Sequence, residues 1–268
     1  MQRYIWWIGG GLVVIAAVVL FFSWHAHRQP AAPVAAATAP VTTPPETKAA
    51  IQNPVPAATG ADQSVPSLEA SDQSMHDSLG GLIGRKTVDA LFKPELIIRH
   101  IVVTIDNLSR KRAAVELRPT KPVPGTFAVN GDEQHSTLDP ANYQRYAAFM
   151  QVVKGVDTKQ VANLYFHYYP LFQQAYQDLG YPNGYFNDRL VATIDNLLAT
   201  PDISGDIVLL RPNVMYQFAD PNLEDLSAGQ KALLRTGPEN ATIVKNKLRA
   251  LRAEIASAPQ TAPPPSKP

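Results

Sequence analysis

Cysteine is absent from this chain of 268 residues, which excludes disulfide bonds and metal sites built from thiolates. An excess of charge of either sign is also missing, since 24 Lys and Arg residues are balanced by 23 Asp and Glu residues. This balance disfavours a role dominated by binding to nucleic acid or to another polyanion.

Motifs that would indicate a known catalytic or cofactor site are lacking as well. The sequence contains no HExxH, no GxSxG and no glycine-rich phosphate-binding loop. His100, His135 and His167 are too far apart in sequence to form a recognisable metal-ligand motif. We therefore predict no catalytic residues, no metal site and no cofactor from motifs.

The most apolar uncharged run lies near the N-terminus, from Tyr4 to Phe22. At a helical rise of about 1.5 Å per residue, it nearly matches the roughly 30 Å hydrocarbon core of a bilayer. Trp6, Trp7 and Trp24 flank it at depths that suit interfacial aromatic rings. These features predict a single-pass transmembrane anchor over residues 1–28. The alternative is a cleaved secretory signal, but the apolar core of a signal, about 7 to 15 residues, is shorter.

Orientation of the anchor is not set by charge, because Arg3 and Arg28 lie on opposite sides of the apolar run. The Pro/Ala/Thr-rich stretch that follows is of the kind that tethers bacterial periplasmic domains. We therefore expect a protein of the bacterial inner membrane whose C-terminal domain is periplasmic.

Two segments have the composition of disordered chain. Residues 29–67 are rich in proline, alanine and threonine and show neither helical nor strand periodicity, so they predict a flexible linker. Residues 258–268 have the same composition and predict a disordered tail. An extended linker of about 40 residues reaches on the order of 100 Å, so the domain is able to leave the bilayer surface.

Residues 68–257 predict one soluble domain of mainly α structure with small β-hairpins, an α+β fold. The clearest helix spans about 158–179, capped by Asp157 and ended by Gly180, with a proline inside it at Pro170. Another helix is predicted to begin near Pro94. The remaining predicted helices are 139–153, 188–198, 227–235 and 238–255, and the short strands are 114–118, 126–129, 206–211 and 215–218.

An internal echo suggests a pseudo-duplicated module. Residues 104–108 and 193–197 share the sequence TIDNL, each at the end of a predicted helix. Leu-Arg-Pro and then Phe-Ala follow both copies in the same order. We predict two related units, 92–156 and 186–238, separated by the aromatic helix; the alternative is coincidence, since two copies are fewer than an array needs.

The best candidate for a functional surface is the turn that follows the aromatic helix. It presents aromatic rings beside amides and charges, a combination that supplies both contact area and directed hydrogen bonds to a partner. The alternative is an ordered structural turn with Asp188 as a helix N-cap and its rings packed inward. The candidate partner-binding residues are Tyr181, Asn183, Tyr185, Phe186, Asn187, Asp188 and Arg189.

With these segments in hand, the chain resembles a bacterial family classified as domain of unknown function 3014. The resemblance is carried by NYQRY (142–146), YPLFQQAY (169–176), LGYPNGYFNDRL (179–190), FADP (218–221), SAGQKALL (227–234) and GPEN (237–240). It implies an anchored bacterial envelope protein of this layout, and it brings no activity, substrate or catalytic residue.

Three functions compete on these observations. The first is a non-enzymatic interaction or scaffold module that uses the turn at 181–189 to engage an envelope protein or peptidoglycan. The second is an enzyme acting on peptidoglycan or another envelope glycan through Asp106, Asp195 or Asp188, whose carboxylates would have to flank one bond. The third is a small-ligand sensor with the aromatic helix as a pocket wall.

Overall fold

The structure is a computed structural model that describes residues 50–56, 65–132, 136–212 and 215–256. Ten helices run through the described part of the chain: α1 Ser71–Ile83, α2 Arg85–Leu91, α3 Ile97–Leu108, α4 Ala141–Gln144, α5 Ala147–Gly155, α6 Thr158–Asp178, α7 Phe186–Leu198, α8 Pro221–Glu224, α9 Ala228–Leu234 and α10 Pro238–Ala256. Four strands accompany them: β1 Val129–Asn130, β2 Ser136–Leu138, β3 Val208–Leu210 and β4 Gln217–Phe218. The fold is mainly helical with a small sheet, which confirms the predicted α+β class.

The main core lies between α3, α6, α7 and α10. Helices α3 and α10 each pack against both α6 and α7, and α1 packs against α3. The aromatic helix α6 supplies the largest buried side chains, among them Tyr165, Tyr168 and Phe172. These rings are core residues, which leaves the hypothesis of a small-ligand sensor built on this helix without support.

The strands form one antiparallel sheet in the order β1-β2-β3-β4. Helices α4 to α7 are inserted between β2 and β3, so residues far apart in sequence, such as Ser136 and Leu209, become sheet neighbours. One face of the sheet covers a second, smaller apolar cluster of Leu138, Leu209, Phe218 and Leu234.

Several local predictions differ from the structure. The helix predicted from Pro94 begins at Ile97, and the helix predicted over 139–153 is divided into α4 and α5. Residues Val115–Leu117 form a 3-10 turn where a strand was predicted. Helices α1 and α2 and strand β2 had not been predicted.

The two TIDNL copies end α3 and α7, which pack against each other. Downstream of them the echoed Leu-Arg-Pro segments lie in unlike structure, because Leu117 belongs to the 3-10 turn and Leu210 belongs to strand β3. The predicted duplication is therefore matched at the helices and not at these segments.

The predicted anchor, residues 1–28, and the predicted tail, 258–268, lie outside the described residues, as do positions 29–49 and 57–64 of the linker. Within the described ranges, no helix is both long enough and apolar enough to cross a bilayer. Residues 50–56, which fall inside the linker predicted to be disordered, lie against the domain through hydrogen bonds to α7 and the residue before it.

Candidate functional site

The turn between α6 and α7 is held in one shape by close packing. Gly180 ends α6 with a φ of 111°, a left-handed conformation that favours glycine. Tyr181 folds back so that its ring stacks on Tyr176, with 4.6 Å between centroids. A Cβ atom at Gly184 would lie 2.7 Å from the Tyr176 ring, so only glycine fits this approach.

Gln173 of α6 braces the end of the turn through its side-chain amide. Its Nε2 donates to the carbonyl of Gly184 at 2.7 Å, and its Oε1 accepts from the backbone N–H of Phe186 at 2.8 Å. The Tyr169 hydroxyl donates to the same Oε1 at 3.1 Å. Burial, and then the neighbouring hydroxyl of Tyr185, raise the pKa of Tyr169, which keeps that hydroxyl protonated as a donor.

A buried carboxylate at the end of α3 fixes the other side of the turn. The Asp106 side chain is 5% exposed and accepts from Arg110 at 2.6 Å and from Arg189 Nε at 3.0 Å. The hydroxyl of Tyr181 lies 3.3 Å from the same carboxylate and accepts from Arg110 at 2.5 Å. The charge of Asp106 is the main cause of the raised pKa of Arg110.

Asn187 is fully buried and joins three parts of the chain. Its Oδ1 accepts from the hydroxyl of Tyr165 on α6 at 3.0 Å. Its Nδ2 donates to the carbonyl of Ile255 near the end of α10 at 3.1 Å, and to the carbonyl of Asn53 at 2.9 Å. Every hydrogen-bonding group of this side-chain amide is thus engaged inside the molecule.

Asp188 and Tyr185 form polar contacts with a distant part of the same chain. The Asp188 carboxylate accepts the backbone N–H of Gln52 at 3.1 Å and that of Asn53 at 2.7 Å. Asn53 Nδ2 also donates to Asp188 Oδ1 at 2.9 Å. The Tyr185 hydroxyl accepts the backbone N–H of Val55 at 2.7 Å. We call Tyr185, Asn187 and Asp188 the segment site and residues 50–56 the docked segment.

The structure separates the seven candidate residues into four groups. Asn183 is exposed at the tip of the turn, while Phe186 is buried and stacks on Phe172 at 5.8 Å. Tyr181 and Arg189 hold Asp106, and the other three form the segment site. Of the alternative reading of the turn, the inward packing of rings is confirmed for Phe186 and for Tyr181 on Tyr176. Its N-cap assignment was wrong, since Tyr185 occupies the N-cap position of α7 and the Asp188 carboxylate bonds to the docked segment.

The acidic residues proposed for glycan chemistry do not form a pair. Asp106 is enclosed by two arginines, whereas Asp195 bonds Arg252 through both carboxylate oxygens, at 2.5 and 3.0 Å. Asp188 is engaged by backbone N–H groups of the docked segment. The hypothesis that echoed carboxylates act together across one bond is therefore not supported. No cluster of three potential metal ligands occurs among the residues that the structure describes.

Sequence reasoning missed the docked segment. Its local signal is an Ile-Gln-Asn tripeptide, residues 51–53, that interrupts a run of proline, alanine and threonine. Composition averaged over the linker hides such a short departure, and the contacts that order it come from residues 130 or more positions away.

The chain matches a protein family of unknown function. A family model described as "Protein of unknown function (DUF3014)" matches residues 97–252, which include α3, the turn and most of α10. No curated protein and no solved structure matches the chain.

Proposed function

The chain belongs to the DUF3014 family, which assigns no activity, and we propose its function from the site. It is a non-enzymatic interaction or scaffold module of the bacterial envelope. In this proposal residues 1–28 anchor the chain in the inner membrane and the domain acts in the periplasm. The turn at 181–189 is its docking surface.

One observation carries the proposal. The Asp188 carboxylate and the Tyr185 hydroxyl both accept backbone N–H groups from a segment about 130 residues away in sequence, and the Tyr185 hydroxyl also bonds that of Tyr169. As an acidic residue in the first turn, Asp188 also stabilises α7 through the helix dipole, a role that needs no hydrogen-bond partner. Asp188 accepts backbone N–H groups from another stretch of chain, which is how a docking site holds a peptide.

Preorganisation of the turn supports the same function. Gln173, Asp106 and the stack of Tyr176 on Tyr181 fix its backbone from three directions. A surface held rigid before binding loses little conformational entropy when a partner docks. The exposed tip at Pro182 and Asn183 lies beside this rigid frame and is open to contact.

Docking is tested by amide hydrogen exchange of the full-length protein. The N–H groups of Gln52, Asn53 and Val55 are expected to be protected, and Asp188→Ala is expected to remove protection at Gln52 and Asn53. Asp195→Ala is the matched control, because it removes a carboxylate from the same helix whose partner, among the described residues, is Arg252. Equal exchange in the native protein and in Asp188→Ala would contradict the proposal.

Engagement of an envelope partner is tested by photocrosslinking in cells from position 183, whose side chain is exposed. The expected result is one reproducible partner in the native protein. The control is the full-length protein with the crosslinker at position 151, an exposed residue of α5 outside the turn. The same partner at the same yield from position 151 would mean that the turn is not the docking surface.

A further inference from the structure

A groove of about 520 Å³ lies where the start of α10 meets α4 and α5. It is lined by side chains of α4 and α5 and by residues 236–240, and we call it the α10 groove. Its volume falls within the range of about 300 to 1,000 Å³ that is typical of small-ligand sites. We infer that the α10 groove binds a neutral saccharide of one or two sugar rings.

The inference goes beyond the proposed function, because the α10 groove contains no residue of the turn at 181–189. Asn187 of the segment site bonds the carbonyl of Ile255 near the C-terminal end of α10, whereas Pro238 at the other end lines the groove. At a helical rise of about 1.5 Å per residue, about 25 Å separates the two ends. The groove therefore brings together NYQRY and GPEN, two sequence segments that the turn does not use.

One wall of the α10 groove is fixed by contacts within the protein. Gly237 has a φ of 92°, and a Cβ atom there would lie 2.7 Å from the Tyr143 ring, so glycine lets this ring pack directly against the chain. Asn240 Nδ2 donates to the carbonyl of Thr236 at 3.0 Å and to that of Tyr143 at 3.5 Å. These bonds join α10 to α4, so the wall keeps its shape and loses little conformational entropy when a ligand binds.

The remaining polar side chains of the lining are free to bind a ligand. They are exposed, and within the ranges that the structure describes they form no hydrogen bond or ion pair: Gln144, Gln151, Lys154 and Glu239. Free polar groups that converge on one concave surface are the usual mark of a small-ligand site.

These free groups favour an uncharged ligand. Lys154 and Glu239 carry opposite charges, and because both are exposed to water, neither attracts a charged ligand strongly. The side-chain amides of Gln144 and Gln151 each offer two N–H donors and a carbonyl acceptor. A sugar hydroxyl is also both a donor and an acceptor, so it pairs with either end of an amide. A carboxylate accepts only and an ammonium donates only, so each would use half of the amide.

The apolar part of the lining suits a sugar ring. Ala147, Met150 and Pro238 present apolar atoms beside the amides. A pyranose ring has C–H groups on its faces and hydroxyls at its edge, so it is complementary to a surface that mixes both kinds of group.

Binding is tested by isothermal titration calorimetry of the full-length protein, kept free of sugar-headed detergent. The probes are the neutral disaccharides N,N′-diacetylchitobiose and maltose, with the zwitterion glycylglycine for comparison. Saturable binding of either disaccharide is the expected result. No saturable heat with both sugars would overturn the inference, and binding of glycylglycine alone would overturn the ligand class.

A bulky side chain placed in the groove shows whether the sugar binds there. Ala147 and Ala148 are both exposed at the start of α5, but only Ala147 lines the groove. Ala147→Trp is expected to weaken binding by more than about tenfold, and Ala148→Trp to stay within about twofold of the native protein. Thermal unfolding is expected to be alike in both variants, because neither position is in the core. Equal loss of binding in the two variants would place the sugar elsewhere and overturn the inference.

The role of the amides is tested by removing both. The double variant Gln144→Ala/Gln151→Ala is expected to weaken binding by about tenfold, through the loss of two or more hydrogen bonds to neutral groups. Gln217→Ala is the matched control, since this exposed glutamine of β4 lies outside the groove. Native affinity in the double variant would contradict recognition by the amides. Asp188→Ala, which tests the proposed docking function, is expected to leave sugar binding unchanged, so the two proposals fail independently.

Discussion

Arg189 of α7 reaches Asp106 of α3, donating from Nε to Oδ1 at 3.0 Å and from its guanidinium to the Asp106 carbonyl. The two residues are 83 positions apart, and their contact joins the end of one TIDNL helix to the start of the other. The Asp106 carboxylate is only 5% exposed. When one partner of the ion pair is removed, water therefore cannot solvate the charge that is left.

Asp106→Asn is expected to lower the free energy of unfolding by about 2 kcal/mol, after allowance for the partial exposure of both arginines. The substitution leaves two guanidinium groups without their shared charge. Urea denaturation of the full-length protein measures the change. Asp195→Asn is the control in the identical local sequence, and since its pair with Arg252 is nearly half exposed, it is expected to cost less than about 1 kcal/mol. Equal losses of unfolding free energy in Asp106→Asn and Asp195→Asn would contradict the argument that burial strengthens the Asp106 ion pairs.

Asn187→Ala removes a buried amide with three partners. We expect a loss of about 3 kcal/mol in the free energy of unfolding, because the hydroxyl of Tyr165 and two carbonyls lose their hydrogen bonds. Thermal unfolding followed by circular dichroism measures it. The comparison is Asn183→Ala, an exposed residue in the same turn, for which we expect a change within about 0.5 kcal/mol.

Gly229 lies where both TIDNL helices end. A Cβ atom there would lie 2.5 Å from Leu197 Cδ2 and 2.9 Å from the Leu108 carbonyl. Gly229→Ala is therefore expected to destabilise the protein by about 1–3 kcal/mol through overpacking. At Gly155, the last residue of α5, a Cβ atom meets nothing within 4 Å. Gly155→Ala is expected to leave the melting temperature unchanged or slightly raised, and a similar loss at both sites would refute the packing argument.

Arg235 is a buried cation whose guanidinium carbon lies 4.7 Å from the centroid of the Phe218 ring. Burial lowers its pKa, and within the described residues its Nε has no hydrogen-bond partner. Arg235→Met keeps the volume and removes the desolvated charge, so we expect stability that is unchanged or higher by about 1 kcal/mol.

Arg235→Ala serves for comparison. It removes the apolar stem as well and is expected to destabilise by about 2 kcal/mol. Chemical denaturation of both variants measures the two effects. A loss in Arg235→Met as large as that in Arg235→Ala would show that the charge itself stabilises the fold.

Features encoded within a few residues were predicted correctly. Asp157 caps α6 by accepting from the N–H of Gln160. The helix predicted over 227–235 is α9, which begins with a capping box of Ser227 and Gln230. These contacts join residues three positions apart, so sequence alone contains all the necessary groups. The same reasoning explains why the aromatic helix and the last helix were placed within one or two residues.

Predictions failed where a distant residue set the local structure. Helix α3 begins at Ile97 and not near Pro94 because Asp72 of α1 accepts the N–H groups of Leu96 and Ile97 at 2.7 and 2.8 Å. Leu96 adopts a φ of 53° to make that contact. The capping group is more than 20 positions away, and no local pattern contains it.

For this protein the sequence by itself determined the α+β class and the main helices with their local caps. It also identified the turn at 181–189 as the candidate functional site. The tertiary structure decided what that turn does: it buried Phe186 and Asn187, enclosed Asp106 between arginines, and gave Asp188 and Tyr185 a segment to hold. The physical reason is how far apart in sequence the interacting residues lie. Periodicity and capping depend on neighbours in sequence, whereas burial and the pairing of charged groups depend on which distant segments the packed core brings together.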